Sequence, residues 1–151
     1  LGAVHFYHLT STPLERALPR LLEKSYAGGF RTIVVADNDM HVEQLNSLLW
    51  TYHADSFLPH GSAKDGNSER QPIFLTSEIP MEAGEKEILF ITSGILAENT
   101  APYDRVIDMF DGSSPQSLSG ARSRWKQYKD SGCELHYYQQ TAAGSWDKKA
   151  H

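Results

Sequence analysis

Hydrophobic residues fall along this chain in short dense runs, separated by stretches where they recur every three or four positions. The first pattern suits strands and the second suits helices. Ala3 to Leu9 (AVHFYHL) is apolar and aromatic and predicts a strand. Thr12-Pro13-Leu14-Glu15 follows. Here a threonine can cap free amides, a proline suits the first helical position, and a glutamate can reach back to the cap. Leu14, Leu18, Leu21, Leu22 and Ser25 then recur at helical spacing. Pro19 interrupts them, because a proline inside a helix removes a hydrogen bond and crowds the preceding turn. The pattern therefore predicts a kink, or a helix starting later than Pro13, ended by Gly28-Gly29.

Arg31 to Ala36 (RTIVVA) is nearly continuous, as expected of a strand covered on both faces in a parallel sheet. Asp37-Asn38-Asp39 closes it and can cap a helix carrying Val42, Leu45, Leu48 and Leu49, which runs to about Trp50. Gly61 to Arg70 reads as a loop. Pro72 to Thr76 and Glu87 to Thr92 read as strands with Met81 to Lys86 in the turn between them, and Arg105 to Phe110 reads as a fifth strand. A helix over Pro115 to Lys129 and a last strand over Cys133 to Gln139 complete the pattern. Thr141 to His151 has little apolar content and predicts a flexible tail. Strands alternating with helices predict one α/β domain over residues 1–140, a three-layer arrangement around a mostly parallel sheet.

Composition changes this picture little. The 151 residues suit one domain, with 40% hydrophobic and 22% charged residues. Leu1 to His5 shows no basic segment before an apolar run and predicts no signal peptide. No run approaches the ~20 apolar residues of a membrane span. The single Cys133 can form neither an internal disulfide nor a zinc cage, which fits a reducing, cytoplasmic setting. Charge matters more. A net charge of −5 argues against nucleic acid as the main partner, since phosphate binding calls for a basic surface.

Motifs that would carry chemistry are missing from the sequence. Neither G-x-G-x-x-G after the first strand nor G-x-x-x-x-G-K-[ST] occurs, and Thr10-Ser11-Thr12-Pro13 lacks the glycines that admit a pyrophosphate. The expected fold is thus Rossmann-like without a phosphate loop. Asp37, Asp39 and Glu43 follow a central strand and supply oxygens that suit Mg²⁺, the basis for an alternative as a Mg-dependent nucleotide hydrolase or nuclease. Helix capping explains the aspartates equally well. The seven histidines show no zinc spacing, no G-x-S-x-G elbow is present, and Cys133 reads as a small buried apolar group. The expectation is a protein with no catalytic site, cofactor or metal.

Two segments read as docking surfaces. On the helix from Pro115, Leu118, Ala121, Trp125 and Tyr128 share one face, while Arg122, Lys126 and Lys129 form a stripe about 90° away, and Arg124 points elsewhere. An apolar margin beside cations suits an acidic peptide with an apolar end; a solvated surface is the bland reading. The second segment, Trp50 to His60, leaves a helix with three large aromatics and a proline, and serves either as interface or as core cover.

Taken in order, these segments resemble the chi subunit of bacterial DNA polymerase III, a clamp-loader accessory. The resemblance runs from about Val4 to Leu135. It rests on Phe6-Tyr7-His8-Leu9, on Gly29 to Ala36 followed by Asp37-Asn38-Asp39, and on Leu45 to Trp50 followed by Ser56-Phe57-Leu58-Pro59-His60. Val106-Ile107-Asp108 and Ala121 to Tyr128 complete it. Gly61 to Arg70 and Ser77 to Lys86 align poorly, and Leu118 stands where some relatives carry a basic residue. The resemblance implies a non-catalytic adaptor that binds the acidic C-terminal tail of single-stranded DNA-binding protein. Arg122 and Lys126 match the family's basic positions, Trp125 an aromatic position and Phe110 an apolar pocket position; Arg124 is also basic in the pattern. It further implies that a psi subunit, or a helicase, docks at Trp50, Phe57, Pro59 and His60.

Overall fold

The dense apolar runs become the interior strands of one sheet. A computed structural model describes residues 2–51, 60–62, 72–81, 83–84 and 86–149. Its elements are β1 (Ala3–Leu9), α1 (Leu14–Ala27), β2 (Arg31–Val35), α2 (Asp39–Thr51), β3 (His60–Ser62), β4 (Ile73–Thr76), β5 (Glu87–Ile91), β6 (Arg105–Asp111), α3 (Pro115–Asp130), β7 (Glu134–Gln140) and β8 (Trp146–Lys149). The strand order is β3-β4-β2-β5-β6-β1-β7-β8. Every neighbouring pair is parallel except β7–β8.

Successive strand side chains point to opposite faces, so each interior strand feeds two cores. Tyr7 and Leu9 of β1, with Ile88 and Phe90 of β5, pack against Leu18 and Leu22 of α1 and Leu45 and Leu49 of α2. Val4 and Phe6, with Leu89 and Ile91, pack against Ala121 and Tyr128 of α3. The expected three layers follow: α1 and α2 on one face and α3 on the other. Among the described residues no helix is long and apolar enough to cross a membrane.

Several local expectations change. Helix α1 begins at Leu14 and contains Pro19, which is buried among Leu18, Leu21 and Leu22. That apolar burial offsets the lost backbone bond. Pro13 occupies the N-cap position with no side-chain cap; Thr12, expected to cap, accepts instead from Gln140 Nε2 at 2.6 Å. Gly29, at φ +81°, ends the helix in a conformation that favours glycine, and Phe30 N–H closes back on the Ser25 carbonyl at 3.1 Å. Asn38 is the side chain that caps α2, accepting from His41 N–H at 2.8 Å. The loop expected from Gly61 gives way at its start to β3, a three-residue edge strand beside β4.

The tail expected to be flexible also changes. Trp146–Lys149 forms β8, antiparallel to β7. A tight turn closes it, with Thr141 N–H on the Ser145 carbonyl at 2.8 Å and Gly144 at φ +86°. Trp146 meets the Tyr7 ring edge-on at 4.9 Å. One large aromatic supplies the packing that the rest of the segment lacks.

Candidate functional site

In a parallel α/β sheet, ligands bind beyond the carboxyl ends of the strands, where adjacent connections leave to opposite faces. Here β1 and β6 are neighbours, α1 leaves β1 to one face, and α3 leaves β6 to the other. A cavity of about 780 Å³ lies at that point, bordered by Thr10–Thr12, Thr92–Gly94 and the start of α3. Its amide donors already have an acceptor. The backbone N–H groups of Thr10, Ser11 and Thr12 donate to one atom, Gln140 Oε1, at 3.2, 3.1 and 3.1 Å. Thr10 Oγ1 donates to the Gln140 carbonyl at 2.6 Å. The amides that would cradle a phosphate in this topology thus hold a neutral internal oxygen. Glu15, Asp37 and Asp111 add carboxylates around the cavity.

The acidic trio considered for a metal does not converge. Asp37 lies 3.6 Å from His41 Nδ1, and Asp39 accepts from Ser77 Oγ at 3.0 Å. Glu43 is half-buried one turn further along α2. Among the described residues no group of three or more His, Cys, Asp or Glu side chains comes close enough to hold an ion.

Helix α3 builds the second site, and its placement begins with a buried charge pair. Ser114 Oγ accepts from Ser117 N–H at 3.3 Å, and Pro115 opens the helix. Asp108 lies in the middle of β6 with no exposure. Arg124 reaches it with two hydrogen bonds, Nε to Oδ2 at 2.6 Å and Nη2 to Oδ1 at 2.9 Å. Its Nη1 donates to the Gly94 carbonyl at 3.2 Å. A Cβ at Gly120 would sit 3.1 Å from that same nitrogen, so the glycine leaves room for the guanidinium. Burial pushes the Asp108 carboxyl up from its ordinary value, and the Arg124 bonds pull it back. Tyr128 is pinned too: its oxygen accepts from Ala97 N–H at 2.8 Å, and burial pushes the phenol up to about 12.

These contacts revise the reading of Arg124. It is only 7% exposed and neutralises Asp108, so it positions α3 and presents no free charge to a peptide. The buried stripe of α3 is Ala121, Arg124 and Tyr128. This stripe is turned by about 45° from the one the apolar residues alone suggest, at 100° per residue. Leu118 and Trp125 are consequently only half-buried, and they open onto a groove.

That groove measures about 450 Å³. Its floor is Phe6 and Phe110, one wall is Leu118, Arg122 and Trp125 of α3, and the other comes from Tyr137 and Gln139 of β7 with Lys149 of β8. The aromatic rings brace one another. Phe6 meets Trp125 edge-on at 5.2 Å, Trp125 meets Tyr137 at 6.2 Å, and His8 stacks on Phe110 at 4.8 Å. His8 Nδ1 is hydrogen-bonded to the Tyr137 hydroxyl. Burial lowers the His8 pKa, outweighing the nearby Asp111 charge that raises it. Burial also raises the Tyr137 phenol, while the nearby Arg122 charge pulls it down. Arg122 and Lys126 are exposed on successive turns, Arg122 at the groove and Lys126 beyond it. Among the described residues Arg122, Lys126 and Lys149 form no salt bridge.

The second expected surface lies at the far edge of the sheet, by α2 and β3. Trp50 is 55% exposed at the end of α2, and its ring sits 4.6 Å from that of the buried His60. Phe57 and Pro59 lie outside the described residues.

Sequence reasoning missed Gln140, Asp108 and Lys149. Asp108 did carry a signal: an acid inside the apolar run RVIDMF has to find a partner. Gln140 carried none, because its partners lie 128–130 residues away along the chain.

Fold and site together define a Rossmann-like α/β protein whose phosphate position is filled from within and whose open groove is apolar and flanked by cations. Within that class, the chain belongs to the DNA polymerase III chi subunit family. The family model described as DNA polymerase III chi subunit, HolC, matches residues 1–136. The chain is 26% identical over 150 residues to the probable DNA polymerase III subunit chi of Rickettsia prowazekii (strain Madrid E), covering 95% of this chain and 90% of that protein. It is 22% identical over 125 residues to the DNA polymerase III subunit chi of Escherichia coli (strain K12), covering 82% and 83%. It is therefore a chi-type subunit, a component of DNA replication.

Proposed function

We propose that the chain is a non-catalytic adaptor of the DNA polymerase III clamp loader whose α3 groove binds the acidic C-terminal tail of single-stranded DNA-binding protein. One observation carries this reading: an apolar, aromatic groove is flanked by exposed cations that form no salt bridge among the described residues, on a protein whose net charge is −5. An acidic peptide with an apolar end satisfies both features at once. The aromatic end of the tail packs against Phe110 and Trp125, and its carboxylates pair with Arg122 and Lys126. Arg124 holds the helix in place from beneath. The exposed Trp50, with the neighbouring His60 and the sequence-matched Phe57 and Pro59, serves a second protein, a psi subunit or a helicase. The two surfaces lie at opposite edges of the sheet, so both partners can be held together.

Charge reversal tests the tail site. Arg122→Glu should weaken binding of a fluorescent tail peptide by roughly tenfold or more while leaving the unfolding midpoint unchanged, because Arg122 is exposed and outside the core. Unchanged affinity would remove Arg122 from the site.

A further inference from the structure

We infer that β8 is a working wall of the groove and that Lys149 is a second carboxylate contact for the acidic peptide, facing Arg122 from the opposite side. This rests on the tail-binding reading above and adds a residue to it. Two independent observations place Lys149. It lines the groove together with Tyr137 and Gln139. The strand register also pairs it with Tyr137, whose ring belongs to the α3 face of the sheet. Alternation along β8 sends the adjacent Lys148 to the other face, where it pairs with Tyr138 beside Tyr7. Asp147 shares the face of Lys149 by alternation but does not line the groove. Lys149 thus lines the groove itself, while Asp147, opposite Gln139, stands on the same face outside that lining.

Cations on both walls constrain the occupant. A peptide with carboxylates on one side of its apolar end only would engage α3 and leave Lys149 unpaired. A C-terminal residue preceded by acids carries negative charge on both sides of its side chain: the terminal carboxylate and the preceding acidic side chains. The groove thus fits an acidic chain end better than an internal acidic segment. Lys149 lies beyond residue 136, where the family model's match ends.

Neighbouring lysines supply the test, because reversing either changes the net charge equally. Lys149→Glu and Lys148→Glu would be titrated at low salt, beside Arg122→Glu, with a fluorescent acidic peptide ending in an apolar aromatic residue and a free carboxylate. Lys149→Glu should weaken binding by roughly three- to tenfold, as loss and reversal of an exposed charge pair allows. Lys149→Arg should restore it, and Lys148→Glu should leave it within about twofold, by the distance and screening of a charge on the other face. Equal effects of the two glutamates, with Arg122→Glu still damaging, would overturn the role of Lys149 and leave the tail site standing. No binding by the unaltered protein would overturn the tail site itself, and Lys149 with it.

Discussion

Asp108 and Arg124 show how one residue's environment decides its role. An unpaired carboxylate at zero exposure is costly, so the guanidinium that reaches it is fixed by need. Removing one partner strands the other. Arg124→Ala should lower the unfolding free energy by about 3–5 kcal/mol. The paired change Asp108→Leu with Arg124→Met should recover most of that loss in urea titration. An Arg124→Ala variant as stable as the parent would contradict a structural role. His5 is likewise governed by its surroundings. Burial and the nearby charges of Arg105, His136 and Lys148 lower its pKa to about 3. Its ring stacks on His136 at 4.5 Å, and its Nδ1 has no hydrogen-bond partner among the described residues. Because the folded value lies below the ordinary ~6.5, the unfolded chain binds more protons between those pH values. Stability contributed by neutral His5 is therefore complete above about pH 6.5 and falls as pH drops toward 3. From pH 7 to pH 5 the loss from this group is about 2 kcal/mol. His5→Phe should flatten the pH dependence of the urea midpoint over that interval; an unaltered slope would contradict the assignment.

The elements divide into those whose pattern is local and those whose cause lies elsewhere in the chain. β1, β2, β5, β6 and α3 were legible because burial on one or both faces imprints a period on their own residues. β3 and β8 were not. His60–Ser62 is three residues containing a glycine, and Trp146–Lys149 has one apolar residue in four. Both are edge strands held by the neighbour they pair with. The same distinction explains the site. Arg122, Lys126 and Trp125 were readable from helical spacing, whereas the wall supplied by β8 was not. Gln140 is the strongest case of remote cause, tying the β1–α1 loop to the end of β7 through three amides. Gln140→Ala leaves those donors without their acceptor and should cost about 2 kcal/mol. Gln140→Glu keeps an acceptor there and should cost less, since successive amides favour a carboxylate. Calorimetric unfolding of both variants would check the order, and the reverse order would contradict the cradle.

The molecule carries a ligand-binding topology whose cradle amides are internally occupied, and an open apolar groove lies on its α3 face. Exposed cations flank the apolar groove, so tail binding should weaken as salt rises, through screening of exposed pairs. The direct measurement is a fluorescence titration of the purified chain with the C-terminal tail of the organism's own single-stranded DNA-binding protein, beside a copy lacking its final residues. The adaptor account predicts saturable binding of the complete tail and none of the shortened copy. Equal binding of both, or binding of neither, would contradict it.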